Sequence, residues 1–163
     1  LRHRPHAVCI VPEKRQERTT EGGLDVARDE AGLAEFIAPL RDAGCRVSLF
    51  IGHQPDQIRA AARIGAAVVE LHTGHYCDLD TEGATAARDA ELQALREGAA
   101  LAHSLGLEVH AGHGLTFDTV GPVAAIPELA ELNIGHFLIA ESVFLGLAGA
   151  IGEMRRKMQQ ARE

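Results

Sequence analysis

Short apolar runs alternate along the chain with longer segments in which apolar residues recur three and four positions apart. The runs are Ala7 to Val11, Arg46 to Ile51, Ala67 to Leu71, Leu107 to Ala111 and Glu131 to Ile134, and their length predicts five strands. Leu33, Phe36, Ile37 and Leu40 keep helical spacing, as do Leu92, Leu95, Ala99 and Ala102, and a further helix is predicted from Pro55 to Ile64. Two of the helical segments run out in Asp42-Ala43-Gly44 and Ser104-Leu105-Gly106, each directly before a predicted strand, and Ile64-Gly65-Ala66 repeats the device. Glycine there takes the left-handed conformation that stops a helix and turns the chain back.

Strand, helix and glycine follow one another in a regular cycle, which predicts parallel strands joined by right-handed crossovers. No linker or low-complexity stretch interrupts the cycle, so residues 1–163 are expected to form a single domain. A complete (β/α)8 barrel takes about 250 residues. Five strand-helix units fit either such a barrel without its first three units or a self-sufficient doubly wound sheet, and the pattern alone leaves both open. Leu1 to His6 lead at once into the first apolar run, as though the chain were entered in mid-domain, so a fragment is expected.

Composition narrows the function classes. With 46% hydrophobic and 24% charged residues, a packed core is expected rather than disorder. Only 4% are aromatic and none is Trp, so Ala, Val, Ile and Leu must build that core, as in helices laid over buried strands. The net charge of -7 argues against nucleic acid as a partner, which needs clustered Lys and Arg, but not against one local site for a small phosphorylated ligand. Cys9, Cys45 and Cys77 are odd in number and far apart, which predicts reduced core thiols and a cytoplasmic protein. No apolar run approaches the roughly 18 residues of a membrane span, and no signal-peptide pattern is present.

In a parallel α/β fold, ligands sit at the carboxyl ends of the strands, and here nearly every predicted strand ends in polar residues. Val11 leads to Pro12-Glu13-Lys14-Arg15, Ile51 to Gly52-His53, Val69 to Glu70-Leu71-His72, Val109 to His110-Ala111-Gly112-His113-Gly114, and Ile134 to Gly135-His136. Strand alternation puts Val68, Glu70 and His72 on one face and Val109, Ala111 and His113 on one face of the next strand, so Glu70 and His113 are expected to look into one cavity. A carboxylate and an imidazole converging there suit charge stabilisation and proton donation. Taken singly, each is also accounted for as a satisfied polar residue at a strand end.

A strand that ends at Gly135 and turns straight into a helix near His136 offers main-chain N–H groups and a positive dipole end to an anion such as phosphate. Gly112 and Gly114 allow backbone to approach the same anion, although tight turns alone explain these glycines equally well. Arg18 to Gly23 is expected to form a mobile loop over the site, with Thr19 and Thr20 offering hydroxyls, or else a plain loop rich in capping residues. No metal is expected: His110 and His113 should face opposite ways, and His72, His75 and Cys77 should lie in a loop without zinc spacing.

At these residues the chain closely resembles the pyridoxine 5'-phosphate synthase family. The stretch Val11-Pro12-Glu13-Lys14-Arg15-Gln16-Glu17, continuing through Thr19-Thr20-Glu21-Gly22-Gly23-Leu24-Asp25, is similar to the segment after that family's fourth barrel strand. Further matches are Val47 to Ile51, Glu70 to Gly74, Ala111 to Thr116, Ile126-Pro127-Glu128 and Glu131 to His136, in the family's order and over almost the whole chain. The resemblance implies a TIM (β/α)8 barrel, here a partial one of about five units (strands 4 to 8). The implied reaction condenses 3-amino-2-oxopropyl phosphate with 1-deoxy-D-xylulose 5-phosphate to give pyridoxine 5'-phosphate, phosphate and water. No metal or organic cofactor is implied, and the family forms homo-oligomers.

Carried over by motif, His113 corresponds to the proton donor and Glu70 to a carboxylate that stabilises charge in the transition state. Gly114, Gly135 and His136 match residues that bind the aminooxopropyl phosphate, and Thr19 matches a contact to the deoxyxylulose phosphate. The family's polar cluster on the first strand, its proton acceptor after the second and its glutamate base on the third have no counterpart here. A sugar-phosphate aldolase or isomerase of the same barrel type, or a non-catalytic phosphate-binding fragment, is the alternative.

Overall fold

The computed structural model describes residues 2–12 and 23–163. Its elements run β1 (Ala7–Ile10), α1 (Glu30–Asp42), β2 (Arg46–Ile51), α2 (Pro55–Arg63), β3 (Val68–His72), α3 (Gly74–Thr81), α4 (Thr85–Ser104), β4 (Glu108–Gly112), α5 (Val120–Ala124), β5 (Leu129–Asn133), α6 (His136–Leu145) and α7 (Leu147–Gln160). Local chemistry sets several of these limits. Asp29 caps α1 by accepting the N–H of Gly32 at 3.0 Å, and Pro55 stands at the start of α2, where a missing N–H costs nothing. Gly44, Gly65 and Gly106 end α1, α2 and α4 with φ of 82°, 79° and 81°, values that penalise any residue with a Cβ.

The strands form one sheet in the order β1-β2-β3-β4-β5, every neighbouring pair parallel. Val47, Leu49 and Ile51 of β2, Val69 and Leu71 of β3, and Val109 and Ala111 of β4 all belong to the core, together with Ile37, Ile58, Leu95 and Ala99 from the helices. One face of the sheet is thus sealed by helices, each fully buried Leu or Ile contributing about 1.5–3 kcal/mol. The other face carries a lateral row of Phe50, Glu70, His110 and Glu131, set by the register between β2, β3, β4 and β5. A strictly sequential order with right-handed crossovers keeps all the helices on one side; a doubly wound sheet needs a reversal of order to cover both.

Three sequence expectations change, the first being Cys9, expected as a core thiol and found exposed. The stretch holding His75 and Cys77 is helix α3 rather than a loop, and His72 is the last residue of β3. Phe36, which shares the helical spacing of buried Ile37, is 58% exposed. Periodicity identifies the face of α1 but not how far the sheet extends beneath it. The loop from Arg18 and the hydroxyls of Thr19 and Thr20 lie outside the described residues. The chain is described again from Gly23, where a Cβ would come 2.2 Å from the carbonyl oxygen of Phe50 and 2.3 Å from Cα of Ile51, so only glycine lets this segment lie against the end of β2. Among the described residues no helix is long and apolar enough to cross a membrane.

Candidate active site

At the carboxyl ends of β2 to β5 lies a cavity of about 470 Å³, lined among others by Phe50, Glu70, His113, Gly114, Asn133, Gly135, His136 and Phe137. A smaller one, about 180 Å³, sits between β5 and α7, where the guanidinium of Arg162 already donates to the carbonyls of Ala124 and Leu129. The larger cavity holds five of the six residues singled out above; the sixth, Thr19, lies outside the described residues.

Glu70 reaches the cavity by strand alternation. Its carboxylate accepts a hydrogen bond from Asn133 Nδ2 at 3.0 Å and a weaker one from Cys9 Sγ at 3.6 Å, the two donors standing on either side of β3. Burial pushes the Glu70 carboxyl above the ordinary carboxylate range, with the Cys9 thiol, His110 and Asn133 opposing the shift. A carboxylate that has lost part of its hydration gains most from a positive charge developing beside it.

His113 arrives by a different route from the one its sequence position suggests. In register, Glu70 lies beside His110, so the cavity face of β4 carries Glu108, His110 and Gly112, while Val109 and Ala111 face the helices. Alternation alone would send His113 after Val109 and Ala111. Instead β4 ends at Gly112, and His113 adopts φ of 81°, a conformation rare outside glycine, which turns its side chain onto the cavity. Its ring then lies 5.0 Å from that of His72 and 6.3 Å from that of Phe50, with His72 edge-on to Phe50 at 5.0 Å. Gly74 makes room for the paired imidazoles, since a Cβ there would come 2.7 Å from His72 Cε1 and 3.2 Å from His113 Cδ2.

His110 is engaged elsewhere, its ring nitrogens 2.8 Å from Glu108 and 3.7 Å from Glu131. Burial pushes the Cys77 thiol up to about 11, which keeps it protonated and a poor metal ligand. Among the described residues no group of His, Cys, Asp and Glu side chains is arranged to hold a metal ion.

Gly114 and Gly135 close the cavity from adjacent loops. Gly114 follows His113 in the same left-handed conformation, φ 81°, and Gly135 is the N-cap of α6. No atom lies within 4 Å of a Cβ built on Gly135, so that position opens onto free space. The N–H groups of the first turn of α6, beginning at His136, have no partner within the helix and point toward its N-terminal end. Phe137 packs edge-on against Phe117 at 4.8 Å and walls this side.

Neither Asn133, which lines the cavity and donates to Glu70, nor Thr73, whose hydroxyl bonds the carbonyl oxygens of Gly112 and His113, was singled out from the sequence. Asn133 was legible as the residue two beyond Glu131 on the strand's cavity face. Thr73 was not, because its partners depend on how β3 and β4 end side by side.

An imidazole, a partly desolvated carboxyl and two loop glycines gathered around one cavity at the carboxyl ends of the strands give the site placement of parallel α/β proteins that bind small ligands. Comparison with known proteins goes further. A model of the family described as pyridoxal phosphate biosynthesis protein PdxJ matches residues 1–160, and the chain belongs to that family. It is 70% identical over 163 residues to a pyridoxine 5'-phosphate synthase of Cereibacter sphaeroides, covering 100% of this chain and 65% of the relative. Proteins of the same name from Ruegeria pomeroyi and Caulobacter vibrioides are 71% and 61% identical over 162 residues, with 65% and 64% of their lengths covered. The chain therefore spans a little under two thirds of the length of these relatives.

Proposed function

We propose that the protein carrying this chain is a pyridoxine 5'-phosphate synthase, condensing 3-amino-2-oxopropyl phosphate with 1-deoxy-D-xylulose 5-phosphate to give pyridoxine 5'-phosphate, phosphate and water. The observation that carries the reading is the placement of His113 and Glu70 around the same cavity as Gly114, Gly135 and His136. In this reading the amide cup at Gly114, Gly135 and His136 holds the phosphate of the aminooxopropyl substrate. His113 delivers a proton to a departing oxygen, and Glu70 stabilises the positive charge that develops as the ring closes. Thr19 contacts the deoxyxylulose phosphate. The names of the relatives point the same way.

The five strands are, on this reading, strands 4 to 8 of a TIM (β/α)8 barrel. Support comes from the sequential parallel order, which leaves a polar face that closure into a barrel would enclose, and from the relatives' greater length. A cytoplasmic homo-oligomer is the matching state. The three cysteines are all free thiols, and α6 and α7 expose Ile139, Val143, Phe144 and Leu147 as a surface for a neighbouring element or subunit.

The test uses a full-length chimera in which this chain replaces its matching stretch of the Cereibacter sphaeroides relative. Mixing it with both phosphorylated substrates should yield pyridoxine 5'-phosphate, identified by mass. Absence of that product, or turnover of a single sugar phosphate without the amine, rejects the assignment.

A further inference from the structure

We propose that Thr73 is a positioning residue for His113: its buried hydroxyl clamps the left-handed turn that aims the imidazole into the cavity. The proposal rests on the proton-donor reading of His113 given above.

Thr73 directly follows β3 and is fully buried. Its hydroxyl lies 2.7 Å from the carbonyl oxygen of Gly112 and 2.6 Å from that of His113, so a single proton is shared between two successive carbonyls. Its main-chain N–H also donates to Gly112, at 2.9 Å. One residue thus holds both peptide units that flank the change of direction between β4 and the loop.

Two observations indicate that this bonding is more than routine satisfaction of a buried polar group. Thr73 is the N-cap of α3, where a threonine hydroxyl ordinarily accepts an N–H of the helix's first turn, yet it makes no such cap bond. The hydroxyl is committed across the sheet instead. The backbone it holds is also unfavourable: His113 has φ of 81°, and a strained conformation persists only where its surroundings enforce it. The remaining bonds to this turn are weak: His113 N–H donates to the Asn133 carbonyl at 3.4 Å, and among the described residues Cys77 Sγ is the other donor directed at the His113 carbonyl, at 4.0 Å. Without the clamp, φ relaxes toward ordinary values and the imidazole swings toward the side of Val109 and Ala111.

The chimera tests this with Thr73→Val, which keeps the shape and loses the hydroxyl, and Thr73→Ser, which keeps the hydroxyl. Thr73→Val should lower kcat about tenfold to a hundredfold, the scale expected for a misplaced catalytic group. KM for both substrates should move by less than about threefold, and Thr73→Ser should return kcat to within about threefold of the parent. The decisive arm is the cycle with His113→Asn, in which Thr73→Val should cost less than about a further twofold, because the group it positions is gone. Should Thr73→Val not fold, Thr73→Ala takes its place in the same comparisons.

Parent-like turnover of the hydroxyl-free variant, a serine variant as impaired as valine, or an equal cost with and without the imidazole would each overturn the clamp. The last outcome marks a merely structural role. A His113→Asn variant with unchanged turnover would instead remove the proton-donor reading, and the clamp with it. Slow turnover of His113→Asn with no coupling to Thr73 rejects the clamp alone.

Discussion

Replacing His113 by Asn in the full-length chimera is expected to lower kcat by about 10²- to 10⁴-fold, the usual contribution of a positioned general acid. The dissociation constant for inorganic phosphate should stay within about threefold, because the proposed amide cup would be main chain that the substitution leaves in place. Asn is the appropriate replacement for a second reason. It tolerates the left-handed conformation better than most residues, so the φ of 81° at this position does not confound the result with unfolding. Equal losses in turnover and in phosphate binding, measured by steady-state kinetics and calorimetric titration, would show that His113 supports the cup rather than the chemistry.

Gly112→Ala is expected to damage fold and site together. A Cβ at this position would lie 2.6 Å from the carbonyl oxygen of Asn133 and 2.7 Å from Glu70 Oε1. The carbonyl belongs to the neighbouring strand, so relief requires β4 and β5 to separate or slip, and the carboxylate would have to leave its bond with Asn133. Overpacking of this kind costs about 1–3 kcal/mol. The melting temperature should drop by several degrees, and turnover should fall beyond what the lost stability explains. Gly121→Ala is the control, since nothing lies within 4 Å of a Cβ built there. A melting temperature unchanged in Gly112→Ala would mean that the close packing of β4, β5 and Glu70 is not as described.

Much of the architecture was legible because it follows from local rules. The glycines after α1, α2 and α4 announced helix ends, and the apolar runs located the five strands to within two residues. Glu70 was placed correctly by alternation, since it lies inside β3. His113 does share the cavity with Glu70, but not by alternation: Val109 and Ala111 face the helices, and the break after Gly112 turns His113 away from them. Alternation fails at a strand's last residue because nothing local states where the ladder stops. Helix α3 was missed for a related reason. It opens on Gly74, is short, and its polar residues show no apolar period, so its helicity depends on packing against α4 that no local pattern reveals. The sequential strand order was also invisible locally, yet it is what makes the sheet compatible with an arc of a barrel.

The proposed phosphate site is a cup of main-chain amides at Gly114, Gly135 and the start of α6, whose residues line the same cavity as His113. Diffraction from crystals of the full-length chimera soaked in inorganic phosphate tests it most directly. Tetrahedral density is expected within hydrogen-bonding distance of the Gly114 and Gly135 amides, with the His113 ring facing it. Phosphate bound only elsewhere, or a His113 ring turned away from it, would contradict the account.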